Sequence, residues 1–485
     1  MILPDITNIP AIEWESGKLS YAELSVRVAE LSTWLSAQSF TRIAVDMVNG
    51  PEWVIIDLAC QRAGKMLVPV PPFFSREQRT HLLAEAGVEL CFCSQLVGDE
   101  RFAITECPLD STFLYRLSVL KDPEVPRGTG KITFTSGSTG NPKGVCLSHE
   151  SQEIVAKSVV KAIGLQAPRH LCLLPLATLL ENVAGVYAPL LAGGTVVLRD
   201  PQSLGFAGAS LTNSQAMLAT ISEVQPNSLI LVPELLQLLI IGCTQGWTPP
   251  VSLKFIAVGG AHVAEGLLQK ARALGLPVYQ GYGLSECVSV NTLNTPACER
   301  MNSVGKSLGH NTLRIENGEL KVSGTIFLGY LNAPETFYPT EVATGDLIRE
   351  EDGFYVVEGR KKHLFINSFG RNISPEWVES ELMASGLFRH AVVVGEARPY
   401  CGALMTPLHD GITHERIDEA LASINQRLPD YAAVRVWQVL PDLSAEKTLF
   451  TANGKLKRQA LTSRFATLIN ELYADTGSLT EETEA

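Results

Sequence analysis

The sequence predicts an α/β protein: a large N-terminal domain of parallel-sheet α/β subdomains with a small β-barrel-like subdomain, then a small α+β C-terminal domain. Three observations carry that expectation. Helix-like and strand-like runs alternate through the first hundred residues, the pattern of a parallel sheet with covering helices, and a second such series runs from Leu171 to about Asn294. Between residues 302 and 358 the pattern changes to short strands separated by turn signals. After Gly359-Arg360-Lys361-Lys362 a shorter strand-and-helix pattern restarts, which divides the chain into 1–359, 360–474 and a tail over 475–485.

The elements follow in order. Ser20-Tyr21-Ala22-Glu23 fits a capping box, and Leu24, Val28, Leu31 and Leu35 follow it at helical spacing. Ile43 to Met47 reads as a strand, Glu52 to Ala63 as a helix and Met66 to Val70 as a strand. Ser75 with Gln78 opens another helix, and Leu90 to Cys93 closes the series with Cys91 and Cys93 alternating onto one face. Leu171 to Leu198 is the most apolar stretch, but Pro175, Glu181, Asn182, Pro189 and Gly193-Gly194 interrupt it, so it reads as buried core rather than a membrane span. Glu316-Asn317-Gly318 and Glu351-Asp352-Gly353 mark turns between short strands. The last eleven residues carry four acids and no base, the composition of a disordered tail.

Composition narrows the function classes. With 485 residues and 46% apolar content the chain can bury a large core. A net charge of −12 argues against nucleic acid as the main partner, while leaving room for a locally positive nucleotide site. Ten cysteines without a C-x-x-C pair weaken zinc and dithiol readings and suit a reducing compartment. The opening MILPDITNIPAIEWE lacks the basic and long apolar regions of a signal peptide, so a cytoplasmic location is expected.

The most informative segment is Thr135-Ser136-Gly137-Ser138-Thr139-Gly140-Asn141-Pro142-Lys143-Gly144, which follows the strand-like Ile132-Thr133-Phe134. Its glycines let main-chain N–H groups approach a ligand, its hydroxyls add neutral donors, and Lys143 adds a mobile positive charge. A flexible linker is the plain alternative, but a linker needs neither the lysine nor the strand leading in. The spacing does not fit G-x-x-x-x-G-K-[ST]. The segment resembles the phosphate loop of the acyl-adenylate-forming superfamily, [ST]-[SG]-G-[ST]-[TS]-G-x-P-K-G, at every position.

Further segments extend the resemblance over nearly the whole chain. Gln280-Gly281-Tyr282-Gly283-Leu284-Ser285-Glu286 places an aromatic between glycines and ends on a hard oxygen ligand suited to Mg²⁺. By itself it is an ordinary strand-to-turn segment; it resembles the superfamily's Y-G-x-[ST]-E, whose aromatic packs near adenine and whose glutamate binds magnesium. Gly259-Gly260-Ala261, otherwise a tight turn, is similar to the segment lying along adenine and the acyl pocket. Thr344-Gly345-Asp346, otherwise a turn whose Asp caps main-chain groups, is similar to the T-G-D whose aspartate bonds the ribose hydroxyls. Gly359-Arg360 resembles the G-R whose arginine contacts the ribose or phosphate side, and Lys362 falls at the hinge about which the small domain moves. The C-terminal Gly454-Lys455-Leu456-Lys457-Arg458, otherwise a solvated charge cluster, resembles x-G-K-[ILV]-x-R, which gives Lys455 the role of catalytic lysine.

The resemblance implies a two-step ligase that uses ATP, Mg²⁺ (held by Glu286 and Thr139) and CoA, or the phosphopantetheine of an acyl carrier protein. A small-molecule carboxylate attacks the α-phosphate, pyrophosphate leaves, and a thiol then displaces AMP from the acyl-adenylate. Pro175-Leu176-Ala177-Thr178-Leu179-Leu180-Glu181-Asn182 resembles the L-P-L-[AF]-H-x-x-E of medium- and long-chain acyl-CoA synthetases, with Thr178 in place of histidine. Leu180 aligns where amino-acid-activating relatives carry an aspartate, which makes an α-amino acid substrate unexpected. Thr178, Glu181, Asn182, Val186, Val232, Val258 and Val288 are therefore the expected acyl pocket, and a fatty acid the expected substrate.

Overall fold

The computed structural model describes residues 4, 9–95, 102–109, 112–119, 122–135, 142–207, 210–369, 371–443, 445–451 and 456–473. Two mixed sheets with parallel centres organise the large domain. The first runs Gly329–Tyr330, Lys143–Leu147, Lys131–Thr135, Met66–Pro69, Arg42–Asp46, Leu90–Cys93, Phe113–Leu117, Phe102–Thr105. Its four middle strands are parallel, and those at both edges are antiparallel. The second runs Lys306–Ser307, Thr292–Leu293, Val278–Tyr282, Phe255–Val258, Ser228–Leu231, Arg169–Leu171, Thr195–Val197, Pro10–Trp14, Gly17–Ser20. From Val278–Tyr282 to Pro10–Trp14 all its pairings are parallel.

Local chemistry explains the covering helices. The Ser20 hydroxyl accepts from the Glu23 N–H at 3.2 Å while Ser20 N–H donates to Glu23 at 2.7 Å, which starts the helix Tyr21–Ser36. Ser75 and Gln78 cap Arg76–Glu85 in the same reciprocal way. Each cap contributes about 1 kcal/mol, and the stripe Leu24, Val28, Leu31, Leu35 is buried as its spacing requires. The Cys91 and Cys93 sulfurs share a face 3.5 Å apart, and all ten cysteines are free thiols.

The stretch from Leu171 to Leu198 begins on the last residue of the strand Arg169–Leu171 and ends in the strand Thr195–Val197, with a π-helical segment, Glu181–Tyr187, and a short helix, Ala188–Leu191, between them. Among the described residues no helix is long and apolar enough to cross a membrane. The small β unit is a four-stranded antiparallel sheet, Asn311–Glu316, Glu319–Gly324, Val342–Glu351 and Phe354–Arg360. Asn317 and Gly318 have φ of 51° and 78°, the two positive values a type I′ hairpin needs.

From Phe365 onward the chain builds a three-stranded sheet, Phe388–Val394, Cys401–Pro407 and Val434–Val439. Val378 and Leu382 of the helix Pro375–Met383, Ile417 and Leu421 of the helix His414–Asn425, and Phe365 are buried together with Met405 of this sheet. This unit touches the large domain through the first of those helices: Ser380 Oγ lies 2.8 Å from His262 Nδ1, and Lys270 donates to the Ala384 carbonyl just beyond it at 2.9 Å. The tail expected over 475–485 lies outside the described residues.

Candidate active site

Parallel strands of both sheets end at one open cleft of about 5170 Å³, several times the roughly 300–1,000 Å³ of a single-ligand pocket. Asn49, Thr135, Pro175, Val232, Gly260 and Tyr282 all lie at or just beyond the carboxyl ends of these strands, where open α/β sheets bind ligands.

At one end of the cleft Thr135 pairs in register with Lys143, so two antiparallel strands clamp the base of the glycine-rich loop. Ser136, Gly137, Ser138, Thr139 and Gly140 lie outside the described residues. Lys143 is exposed, its Nζ 5.6 Å from the centre of the Tyr330 ring. The Tyr330 hydroxyl donates to Glu286 Oε1 at 2.7 Å, and Phe327 N–H donates to the Glu286 carbonyl at 2.8 Å. A carboxylate held in this way fits Mg²⁺, which keeps several waters and takes one or two carboxylates plus substrate phosphates.

A second part of the cleft is built from the ends of neighbouring strands. Gly260, Ala261, Gly281, Tyr282, Gly283 and Ser285 line the cleft, while Gly259 sits just behind, its N–H on the Leu231 carbonyl at 3.2 Å. A Cβ on Gly283 would stand 1.5 Å from the Ser289 carbonyl oxygen, so only glycine fits. The Tyr282 hydroxyl donates to Asp346 Oδ2 at 2.7 Å and Arg360 Nε donates to Oδ1 at 2.8 Å. Asp346 and Arg360 face each other across adjacent strands. Burial, then the neighbouring Asp346 carboxylate, pushes the Tyr282 phenol well above its ordinary range. Burial works against the Arg360 charge, but the Asp346 and Glu376 carboxylates outweigh it and its pKa is raised. A carboxylate has about four acceptor positions; Tyr282 and Arg360 occupy two of those on Asp346.

Elsewhere along the cleft, Asn49 pins the turn before Thr178: its Nδ2 donates to the Leu174 carbonyl at 2.9 Å and its Oδ1 accepts from Leu176 N–H at 2.8 Å. Thr178 and Val232 line the cleft. The other expected pocket residues do not. Val186, Val258 and Val288 are buried in the apolar core. Glu181 is fully buried, its Oε1 2.9 Å from His170 Nε2 and its Oε2 accepting from Leu174 N–H at 3.3 Å. Asn182 is buried too, donating to Asp57 Oδ2 at 2.9 Å and accepting from Lys131. Both stand at the start of the π-helical segment Glu181–Tyr187, on the side that faces His170, Asp57 and Lys131, and these buried partners take up their polar atoms. Cys172 lies close enough to His170 and Glu181 to share a metal ion, within 4.8 Å, but His170 Nδ1 also contacts Ser228 Oγ at 2.9 Å and the buried group is satisfied internally.

Lys362 is exposed in the turn that follows the strand Phe354–Arg360, where His363 Nδ1 lies 2.6 Å from Glu376 Oε1. Lys455 lies outside the described residues; Thr451 and Leu456, before and after it in sequence, line the cleft. Sequence reasoning missed Tyr330, Asn49 and His262. An aromatic after a glycine, as in Gly329-Tyr330, is the one local signal that could have singled out Tyr330; the Asn49 clamp leaves none.

The chain matches the AMP-binding enzyme family over residues 6–331 and the C-terminal domain of AMP-binding enzymes over 363–477. It is 24% identical over 575 aligned positions to a long-chain-fatty-acid–CoA ligase, FadD15, of Mycobacterium bovis, with 95% of this chain and 92% of that one covered. Its fold is similar to that of the anthranilate CoA ligase AuaEII in complex with anthranoyl-AMP (TM-score 0.77, 18% identity, 96% of each chain). It is similar also to the O-succinylbenzoate coenzyme A synthetase MenE of Bacillus subtilis in complex with ATP and magnesium ion (TM-score 0.72, 23% identity, 94% of this chain and 96% of that one). With the family model spanning both sheets and every strand end that lines the cleft in the large domain before residue 331, this chain belongs to the AMP-binding enzyme family.

Proposed function

We infer that the chain is an AMP-forming acid–thiol ligase that activates a carboxylic acid with ATP and transfers the acyl group to CoA. The observation that carries the reading is the convergence of Lys143, Glu286, Tyr282, Asp346 and Arg360 on one cleft at the strand ends. Lys143 and the glycine-rich loop would hold the β- and γ-phosphates, the free acceptor positions of Asp346 the ribose hydroxyls, and the Tyr282 ring one face of adenine. Bound Mg²⁺, held by Glu286 with Thr139, would neutralise phosphate charge. Lys455 would meet the α-phosphate from the small domain and offset the charge that grows as pyrophosphate leaves.

A carboxylate oxygen then forms a bond to the α-phosphorus as the bond to pyrophosphate breaks. In the second step a thiolate attacks the acyl carbon and AMP departs with the bridging oxygen. No enzyme nucleophile is needed, and the protein contributes positioning and charge.

The acyl group we assign is apolar, a fatty acid in the first instance. Leu174, Leu180, Phe206, Leu211 and Leu238 line the cleft beside Thr178 and Val232. The Glu181 carboxylate faces His170 and the Leu174 N–H, so it offers no partner to a substrate ammonium. The test is AMP release with ATP, a panel of alkyl and aryl acids, and CoA, a phosphopantetheinylated carrier protein or neither. Acyl-CoA formed only with CoA supports the reading; thioester on the carrier and none on CoA contradicts it.

A further inference from the structure

Tyr330 belongs to none of the motifs that suggest the chemistry, yet it touches both ends of the phosphate grip. Its main chain is fixed to the strand that begins at Lys143: Tyr330 pairs with Val145, and Leu331 N–H donates to the Gly144 carbonyl at 2.8 Å. A Cβ on Gly144 would lie 2.9 Å from Leu331 Cβ, so glycine there permits the close pairing. Tyr330 N–H donates to Thr336 Oγ1 at 2.9 Å, and the Phe327 ring meets the Tyr330 ring edge-on at 5.0 Å. These four constraints leave the phenol little freedom.

The phenol is aimed at Glu286. Its hydroxyl donates to Oε1 at 2.7 Å, and the same segment holds the Glu286 carbonyl through Phe327 N–H at 2.8 Å. Glu286 stands on a single 3₁₀ turn, Ser285–Cys287, which is followed by Val288 and Ser289 at φ of 58° and 90°. Such a short, strained turn fixes a long carboxylate poorly without a second support. The face of the same ring lies 5.6 Å from the Lys143 ammonium, within cation–π range.

We propose that Tyr330 is a positioning residue for the metal carboxylate: its hydroxyl fixes Glu286 Oε1 so that Oε2 and the remaining lone pair of Oε1 face the cation beside the triphosphate. The inference rests on the reading of Glu286 as the magnesium carboxylate. A hydrogen bond to a charged group is worth enough that its loss is expected to weaken metal–nucleotide binding about tenfold.

The test uses the full chain, Mn²⁺ as probe and a non-hydrolysable α,β-methylene ATP, with free Mn²⁺ followed by electron paramagnetic resonance. Tyr330→Phe keeps the ring and removes only the hydroxyl. It is expected to weaken the Mn²⁺–nucleotide complex about tenfold while leaving metal-free AMP binding and the melting temperature as in the unmodified protein. Glu286→Gln is measured in parallel. If Glu286→Gln weakens metal binding and Tyr330→Phe does not, the positioning role is overturned and the metal assignment stands. If neither does, the assignment of Glu286 falls and the inference with it. Equal loss of metal-free AMP binding in Tyr330→Phe would also overturn it, since a general structural role would account for both effects.

Discussion

Replacing Lys131 by methionine tests how the two walls of the cleft are held together. Lys131 opens the strand that ends at Thr135, and Asn182 follows the cleft turn at Thr178. Between them lies a buried cluster: Lys131 Nζ is 3.0 Å from Asp57 Oδ1 and 2.8 Å from the Tyr187 hydroxyl, and that hydroxyl donates to Asp57 Oδ2 at 2.6 Å. Both charged side chains are 1% exposed. Burial pushes the Lys131 pKa down, and the Asp57 carboxylate opposes that shift. Methionine nearly fills the same space, so the cost is the Asp57 carboxylate left buried without its partner, about 3–5 kcal/mol. Urea unfolding followed by circular dichroism is expected to show this loss in the large-domain transition, and Lys131→Met/Asp57→Leu is expected to recover most of it. A loss below about 1 kcal/mol, or a double variant no more stable than the single one, would refute the argument that pairing holds this cluster.

Three further outcomes follow from the same geometry. Burial and the nearby Lys131 charge lower the His149 pKa from 6.5 to about 4. The unfolded chain therefore binds the extra proton first, and this stability is fully present above pH 6.5 and lost as pH falls toward 4. His149→Phe should flatten about 3 kcal/mol of that dependence in unfolding titrations at several pH values; an unchanged slope would contradict it. Gly283→Ala forces the Ser289 turn to move, so AMP binding by calorimetry should weaken more than about tenfold, with about 1–3 kcal/mol of destabilisation; near-normal AMP affinity would count against the close approach. Lys455→Ala should remove acid-dependent ATP–pyrophosphate exchange yet still convert supplied acyl-AMP and CoA to acyl-CoA; survival of both half-reactions would withdraw its role.

What was legible in the sequence was mostly local. The capping boxes at Ser20 and Ser75 and the tight turns at Asn317 and Asp352 depend on neighbours within three residues, and their chemistry is written in those residues. The helical stripe from Leu24 to Leu35 was readable because regular winding repeats its facing. Glu181 and Asn182 face inward because their partners His170, Asp57 and Lys131 lie on other elements, which no local pattern reveals. Val186, Val258 and Val288 show a second limit, since apolar character suits an acyl pocket and a core equally and only packing separates them. The Tyr330–Glu286 contact spans 44 residues, and the pairing of Tyr330 with Val145 together with the Phe327 N–H on the Glu286 carbonyl, not any local pattern, brings them together.

The central claim is that a carboxylate oxygen becomes bonded to the α-phosphorus. It is tested by incubating the enzyme with ATP, CoA and a carboxylic acid labelled with ¹⁸O at both oxygens, then weighing the products by mass spectrometry. One ¹⁸O is expected in AMP, one in the thioester and none in pyrophosphate. Unlabelled AMP, or label in pyrophosphate or orthophosphate, would contradict it.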